Sequence, residues 1–163
     1  MSQTGYIIIA LIAAFVFSHW MMLRPSPRDR LLGVLRERAK QLGLTPRLVA
    51  APAWIGVRPD TQQSGGMVAF YHLVLPDATL PLTQAKVVDG RLRVIHGVRT
   101  YHDQPFDVVG AIALEMQANS IGLYWNEEAD IRGEQLERLK AAMLGLAQQP
   151  ASPKQHTTLH TES

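Results

Sequence analysis

Residues 84–95 read QAKVVDGRLRVI, two short alternations of apolar and polar side chains joined by Asp89-Gly90. Asp-Gly suits the positive φ angles of a two-residue hairpin turn, so 84–88 and 91–95 are expected to pair as antiparallel strands. Pairing across that turn puts Ala85, Val87, Leu92 and Val94 on one face. Lys86, Val88, Arg91 and Arg93 fall on the other. One face is then core, and the other is wet and basic.

Working outward, 67–75 (MVAFYHLVL) is aromatic and β-branched and apolar on both faces, as a central strand would be. Short strands are expected over 47–51 and around 54–57, broken by Pro52 and Pro59, with a loop at 62–66. Downstream of Pro105, the helical spacing of Phe106, Val109, Ile112, Ala113 and Met116 predicts a helix, which Gly110 weakens. Residues 121–125 (IGLYW) read as a last strand. Asp130 can cap a final helix with a stripe of Leu136, Leu139, Met143 and Leu146. Residues 149–163 are polar and unpatterned and read as a disordered tail.

Before the strands, Ser26-Pro27-Arg28-Asp29 reads as a helix start. Ser26 caps, Pro27 takes the first helical position and Asp29 completes a capping box. Leu31, Leu35, Ala39 and Leu42 follow at helical spacing, and Gly43 ends the run. Residues 5–23 (GYIIIALIAAFVFSHWMML) carry no charge, and at ~1.5 Å per residue they nearly match a ~30 Å hydrocarbon core. They are expected to form a transmembrane helix. Trp20 and Tyr6 suit interfacial anchors. No Lys or Arg precedes the run and no small-residue cleavage site follows it, which argues against a signal peptide. Six basic residues (Arg24, Arg28, Arg30, Arg36, Arg38, Lys40) follow, against Asp29 and Glu37. The positive-inside rule then places 1–4 outside and the domain in the cytoplasm, at a bacterial inner membrane crossed once.

The predicted fold class is α+β. One N-terminal transmembrane helix precedes a basic juxtamembrane helix (24–43) and a small domain (44–148) with a mostly antiparallel sheet and two or three helices in all. A chain of 163 residues holds one domain of this kind. With no cysteine, disulfides, zinc–thiolate sites and thiol catalysis are excluded. The net charge of +2 hides an asymmetry: 12 basic and 5 acidic side chains in 1–100, 4 basic and 9 acidic in 101–163. A basic front suits an anionic surface, most simply lipid. Trp20, Arg24, Arg28, Arg30, Arg36, Arg38 and Lys40 are the candidate lipid contacts. Ala10 and Ala14, four apart, are a candidate helix–helix face.

A catalytic or metal set is not expected. Tyr101-His102-Asp103 puts an imidazole beside a carboxylate, but neighbours in an extended chain point to opposite sides. His72 and His96 on neighbouring strands would lack a third ligand, and His156 and His160 lie in unpatterned sequence. Glu127, Glu128 and Asp130 sit where a helix start favours negative charge. Ser64-Gly65-Gly66 is too short for a phosphate loop. On the basic hairpin face, aromatic interleaving could come only from Tyr71, so nucleic acid is not an expected partner.

Leu23-Arg24-Pro25 and Ser64-Gly65-Gly66-Met67-Val68 give the chain a resemblance to the YajC family of accessory subunits of the bacterial Sec translocon. That family has one N-terminal span, an Arg-Pro step into a basic segment, and a small domain with a Gly-Gly turn before a strand. The likeness covers about the first 30 residues and that turn; this chain is longer and the spacing between the two matches larger. It implies an auxiliary subunit of a membrane complex and carries over no functional residues.

The expected function is thus a non-enzymatic accessory, assembly or scaffolding subunit acting through protein–protein contacts at the inner membrane, with no cofactor. The alternatives are a tethered small-ligand or enzymatic domain using His72, His96 or His102, and an anionic-lipid sensor working through the basic helix.

Overall fold

The computed structural model describes residues 3–22, 26–56 and 66–149, with the side chains of 3–4 and 19–22 left out. The chain divides into two compact units, Met1–Val34 and Leu35–Ser163.

The first unit holds α1 (Gln3–Met22) and the opening of α2 (Pro27–Gln41). Along α1, Tyr6, Ile9, Leu11, Phe15 and Phe17 are all exposed, as are Ala10 and Ala14. Among the described residues no helix is long and apolar enough to cross a membrane. The transmembrane span expected over 5–23 is corrected on that finding. So is the single-pass inner-membrane placement that depended on it.

The start of α2 follows its sequence. The Asp29 amide donates to Ser26 Oγ at 3.1 Å, and Asp29 Oδ2 accepts from the Ser26 amide at 3.3 Å. This reciprocal pair satisfies two of the amide donors that a helix start leaves open.

In the second unit the chain is α+β, with a six-stranded antiparallel sheet. The strands are β1 (Thr45–Ala50), β2 (Met67–Val74), β3 (Leu80–Val88), β4 (Arg91–His96), β5 (Ala111–Ala118) and β6 (Ser120–Trp125). Their order across the sheet is β1-β2-β6-β5-β3-β4. The Asp89-Gly90 hairpin forms as expected: Ala85 faces Val94, Val87 faces Leu92 and Lys86 faces Arg93. Asp89 and Gly90 take φ values of 51° and 69°.

One sheet face carries the main core. Tyr71, Leu73, Leu114, Met116, Ile121, Leu123 and Trp125 are buried there. The last helix, α3 (Leu136–Ala147), packs against β6 and buries Leu136, Leu139, Met143 and Leu146, the stripe expected from their spacing. Leu35 and Ala39 bury the second half of α2.

Two elements differ from expectation. Of the strand expected around 54–57, residues 54–56 are not a strand and Val57 lies outside the described residues; Ala53–Ile55 is a 3-10 turn that follows Pro52. The helix expected after Pro105 is instead β5. Its ladder to β6 shifts register between Ala111 and Ala113, so one extra residue interrupts the alternation. With that residue counted, the apolar spacing fits a helix as well as a strand. The disordered tail expected over 149–163 lies, from residue 150, outside the described residues, as does most of the loop at 62–66.

Candidate binding face

Among the described residues of the second unit, no α-helix lines the other face of the sheet. Cross-strand partners share a face, so the registers define its rows. One row runs His72, Gly122, Glu115, Gln84 and His96 across β2, β6, β5, β3 and β4. The next runs Arg47, Phe70, Tyr124, Ala113, Lys86 and Arg93. The end nearest Tyr124 is closed by a small cluster in which Ile55 and Trp54 of the 3-10 turn pack with Val68, Ala113, Tyr124 and Phe70. Trp54 meets Tyr124 edge-on at 5.8 Å between ring centroids.

Beyond that cluster lies a cleft of about 300 Å³ lined by Phe70, His72, Glu115, Gln117, Ser120, Gly122 and Tyr124. Its floor exists because residue 122 has no side chain. Phe70 crosses β6 above Gly122, and a Cβ there would lie 2.0 Å from Phe70 Cζ. The Phe70 ring stacks on His72 at 5.9 Å and tilts against Tyr124 at 4.7 Å.

Glu115 stands at the wall of this aromatic floor. Its Oε2 accepts from the Tyr124 hydroxyl at 3.0 Å, and its Oε1 accepts from Gln84 Nε2 at the outer limit of 3.5 Å. Among the described residues no cation lies within ion-pair distance of it. Burial, the charge of Glu115 and the hydrogen bond to Glu115 push the Tyr124 hydroxyl well above its ordinary pKa, so Tyr124 remains a donor. Burial and the positive charge of Arg47 lower the pKa of His72, favouring its neutral form.

The covered face holds a related arrangement in which the carboxylate does have a cation. Glu127, only 7% exposed, accepts from Tyr71 Oη at 2.7 Å and from the Arg36 fork, Nε at 2.8 Å and Nη2 at 2.6 Å. This triad ties α2 to β2 and to the 3-10 turn Glu127–Asp130 after β6. The bond to Glu127 raises the pKa of Arg36. Burial, then Glu127, raises that of Tyr71.

The residues singled out from sequence disperse. His72 and His96 share a row, but three strands separate theirs, about 19 Å at ~4.8 Å per step, so they are not on neighbouring strands. His102 Nδ1 accepts from the Val94 amide at 3.2 Å, while Asp103 pairs with Arg93 at 3.0 Å and Arg91 at 3.6 Å. Tyr101 is buried. Of the acidic cluster, Asp130 accepts from the amides of Glu134 and Gln135 at 3.0 and 2.6 Å but does not cap the final helix as expected, since α3 starts only at Leu136, after Gln135 with no side-chain cap bond; Glu127 belongs to the triad. Of the candidate lipid contacts, Arg36 grips Glu127, Arg38 lies 3.9 Å from Glu137 and Lys40 3.2 Å from Glu37. Arg28 and Arg30 are exposed on α2, whereas Arg24 and the Trp20 side chain lie outside the described residues, as do His156 and His160.

Tyr71 is fully buried, so it is not the aromatic of the hairpin's basic face; Phe70 and Tyr124 are. Sequence reading missed Glu115 because it fell inside the expected helix, and missed Phe70 because β2 is apolar on both sides. The glycine inside IGLYW was the available signal, since glycine within a strand marks a close approach. Among the described residues no three His, Asp or Glu side chains are grouped to hold a metal ion. No protein-family model, curated protein or solved structure matches the chain.

Proposed function

We propose that this chain is a non-enzymatic binding module, an accessory protein that works through contacts between the open sheet face and a partner protein. The observation that carries the reading is the cleft itself. Its aromatic floor is bordered by a half-buried carboxylate that only neutral donors hold. A volume of about 300 Å³ is at the low end for a small-molecule site, where ~300–1,000 Å³ is usual, and suits one or two protruding side chains. The nearest acid–base pairing, His72 with Glu115, stands two strand steps apart, about 10 Å between Cα atoms, and the hydrogen bonds of Glu115 go to Tyr124 and Gln84.

The test is site-specific photocrosslinking in the native cells. A photoreactive residue at Gln117, exposed beside the cleft, is expected to give one discrete protein adduct. The same residue at Arg138, exposed on α3, is expected to give none. Equal labelling from both positions, or none from Gln117, overturns the reading.

A further inference from the structure

The two faces of the sheet carry the same half-motif. On each, a buried tyrosine hydroxyl donates to a glutamate: Tyr71 to Glu127 at 2.7 Å and Tyr124 to Glu115 at 3.0 Å. On the covered face the motif is completed by a guanidinium fork, Arg36 reaching both Glu127 oxygens. On the open face Glu115 lines the cleft, and each of its oxygens has one neutral donor. A carboxylate oxygen has two acceptor positions, so each retains one. Two acceptors in one plane match the paired N–H groups of an arginine better than the point charge of a lysine. The adjacent ring faces of Phe70 and Tyr124 offer the stacking surface that a guanidinium prefers.

We propose that the open-face cleft is a receptor for an arginine side chain of the partner protein, with Glu115 as its fork acceptor and Phe70 as its stacking platform. The proposal rests on the binding-module reading above and names its occupant. Tyr124 and Gln84 position the carboxylate. His72, held neutral by burial and by Arg47, adds no positive charge to repel the guanidinium. Of the other cations of the face, Arg93 and Arg91 are paired with Asp103 and Lys86 Nζ lies over Gly56, 3.2 Å from where a Cβ would stand; Arg47, opposite Phe70 on the edge strand β1, is the one whose charge is felt at His72.

The experiment titrates isotope-labelled full-length protein with N-acetyl-arginine methylamide and follows amide shifts. Saturable shifts centred on Glu115, Gly122 and Tyr124 are expected. N-acetyl-citrulline methylamide has the same shape without the charge and is expected to give none; the lysine analogue is expected to bind several-fold more weakly. Glu115→Gln is expected to weaken arginine binding by about tenfold or more, the loss of one charge-assisted pair. Tyr124→Phe keeps the ring, gives a second variant should Glu115→Gln unfold, and is expected to weaken binding less. Equal shifts with citrulline, or unchanged binding in both variants, overturn the arginine assignment. If the Gln117 crosslink then persists, only the occupant is wrong; if it vanishes too, the binding module falls with it.

Discussion

The ring of Phe70 occupies the space above Gly122 that any other residue would fill, with a Cβ at 122 only 2.0 Å from Phe70 Cζ. The cleft floor and the absence of a side chain at 122 are therefore one feature. Gly122→Ala must displace the ring, which is also packed on Tyr124, and overpacking of this kind costs about 1–3 kcal/mol. Urea unfolding is expected to show that loss. Phe70→Ala in the Gly122→Ala background is expected to restore part of it. A Gly122→Ala protein as stable as the parent would mean that the ring is free to leave the floor.

The contrast between β5 and the hairpin shows what was legible in the sequence. Asp89-Gly90 encodes its turn locally, and the Ser26–Asp29 cap and the α3 stripe are equally local patterns, so all three were readable. At β5 the register shift between Ala111 and Ala113 breaks the period of two that announces a strand. Glu115 was hidden with it. The Arg36–Glu127 pair joins residues 91 positions apart, a relationship no local pattern contains. In β2, an apolar run on both faces cannot say whether Phe70 or Tyr71 is the outward ring; only pairing with β6 decides.

The Arg36–Glu127–Tyr71 triad predicts an ordered mutational series. Tyr71→Phe removes one neutral donor while Arg36 still satisfies Glu127, and is expected to cost about 1 kcal/mol. Glu127→Gln leaves Arg36 without its counter-charge. Breaking a buried pair costs about 3–5 kcal/mol, and the low end applies because Arg36 is 32% exposed. The double change Arg36→Met with Glu127→Gln is expected to be less damaging than Glu127→Gln alone. Chemical denaturation of these proteins and of Arg36→Met alone checks the order; an additive double variant would show that the two side chains do not act as a pair.

Gly110 makes a second close approach, at φ 79°. A Cβ there would lie 2.8 Å from both Asn126 O and Ala129 Cβ, and 2.9 Å from Trp125 Nε1. The Trp125 indole donates to Val109 O at 2.7 Å just beside it. Gly110→Ala therefore combines backbone strain with displacement of a buried indole, each of order 1–3 kcal/mol. The expected result is a lowered thermal midpoint together with red-shifted tryptophan emission. An unshifted spectrum with normal stability would refute the packing argument at this corner.

The open face also predicts opposite pH dependences from two neighbouring side chains. Burial and Arg47 lower the pKa of folded His72, so below the ordinary histidine value of about 6.5 the unfolded chain takes up the proton first. Its contribution to stability is complete above that value, falls as the pH drops beneath it, and levels off below the folded pKa. Tyr124 behaves in reverse. Its folded pKa is raised, so its contribution is complete below tyrosine's ordinary value of about 10 and is lost as the pH rises above it. Urea midpoints measured across both ranges are expected to show a shallower acid limb in His72→Gln and a shallower alkaline limb in Tyr124→Phe. Tyr71, also raised, sustains part of the alkaline limb, so Tyr71→Phe with Tyr124→Phe is expected to flatten it further. An acid limb unchanged in His72→Gln would place that titration elsewhere in the chain.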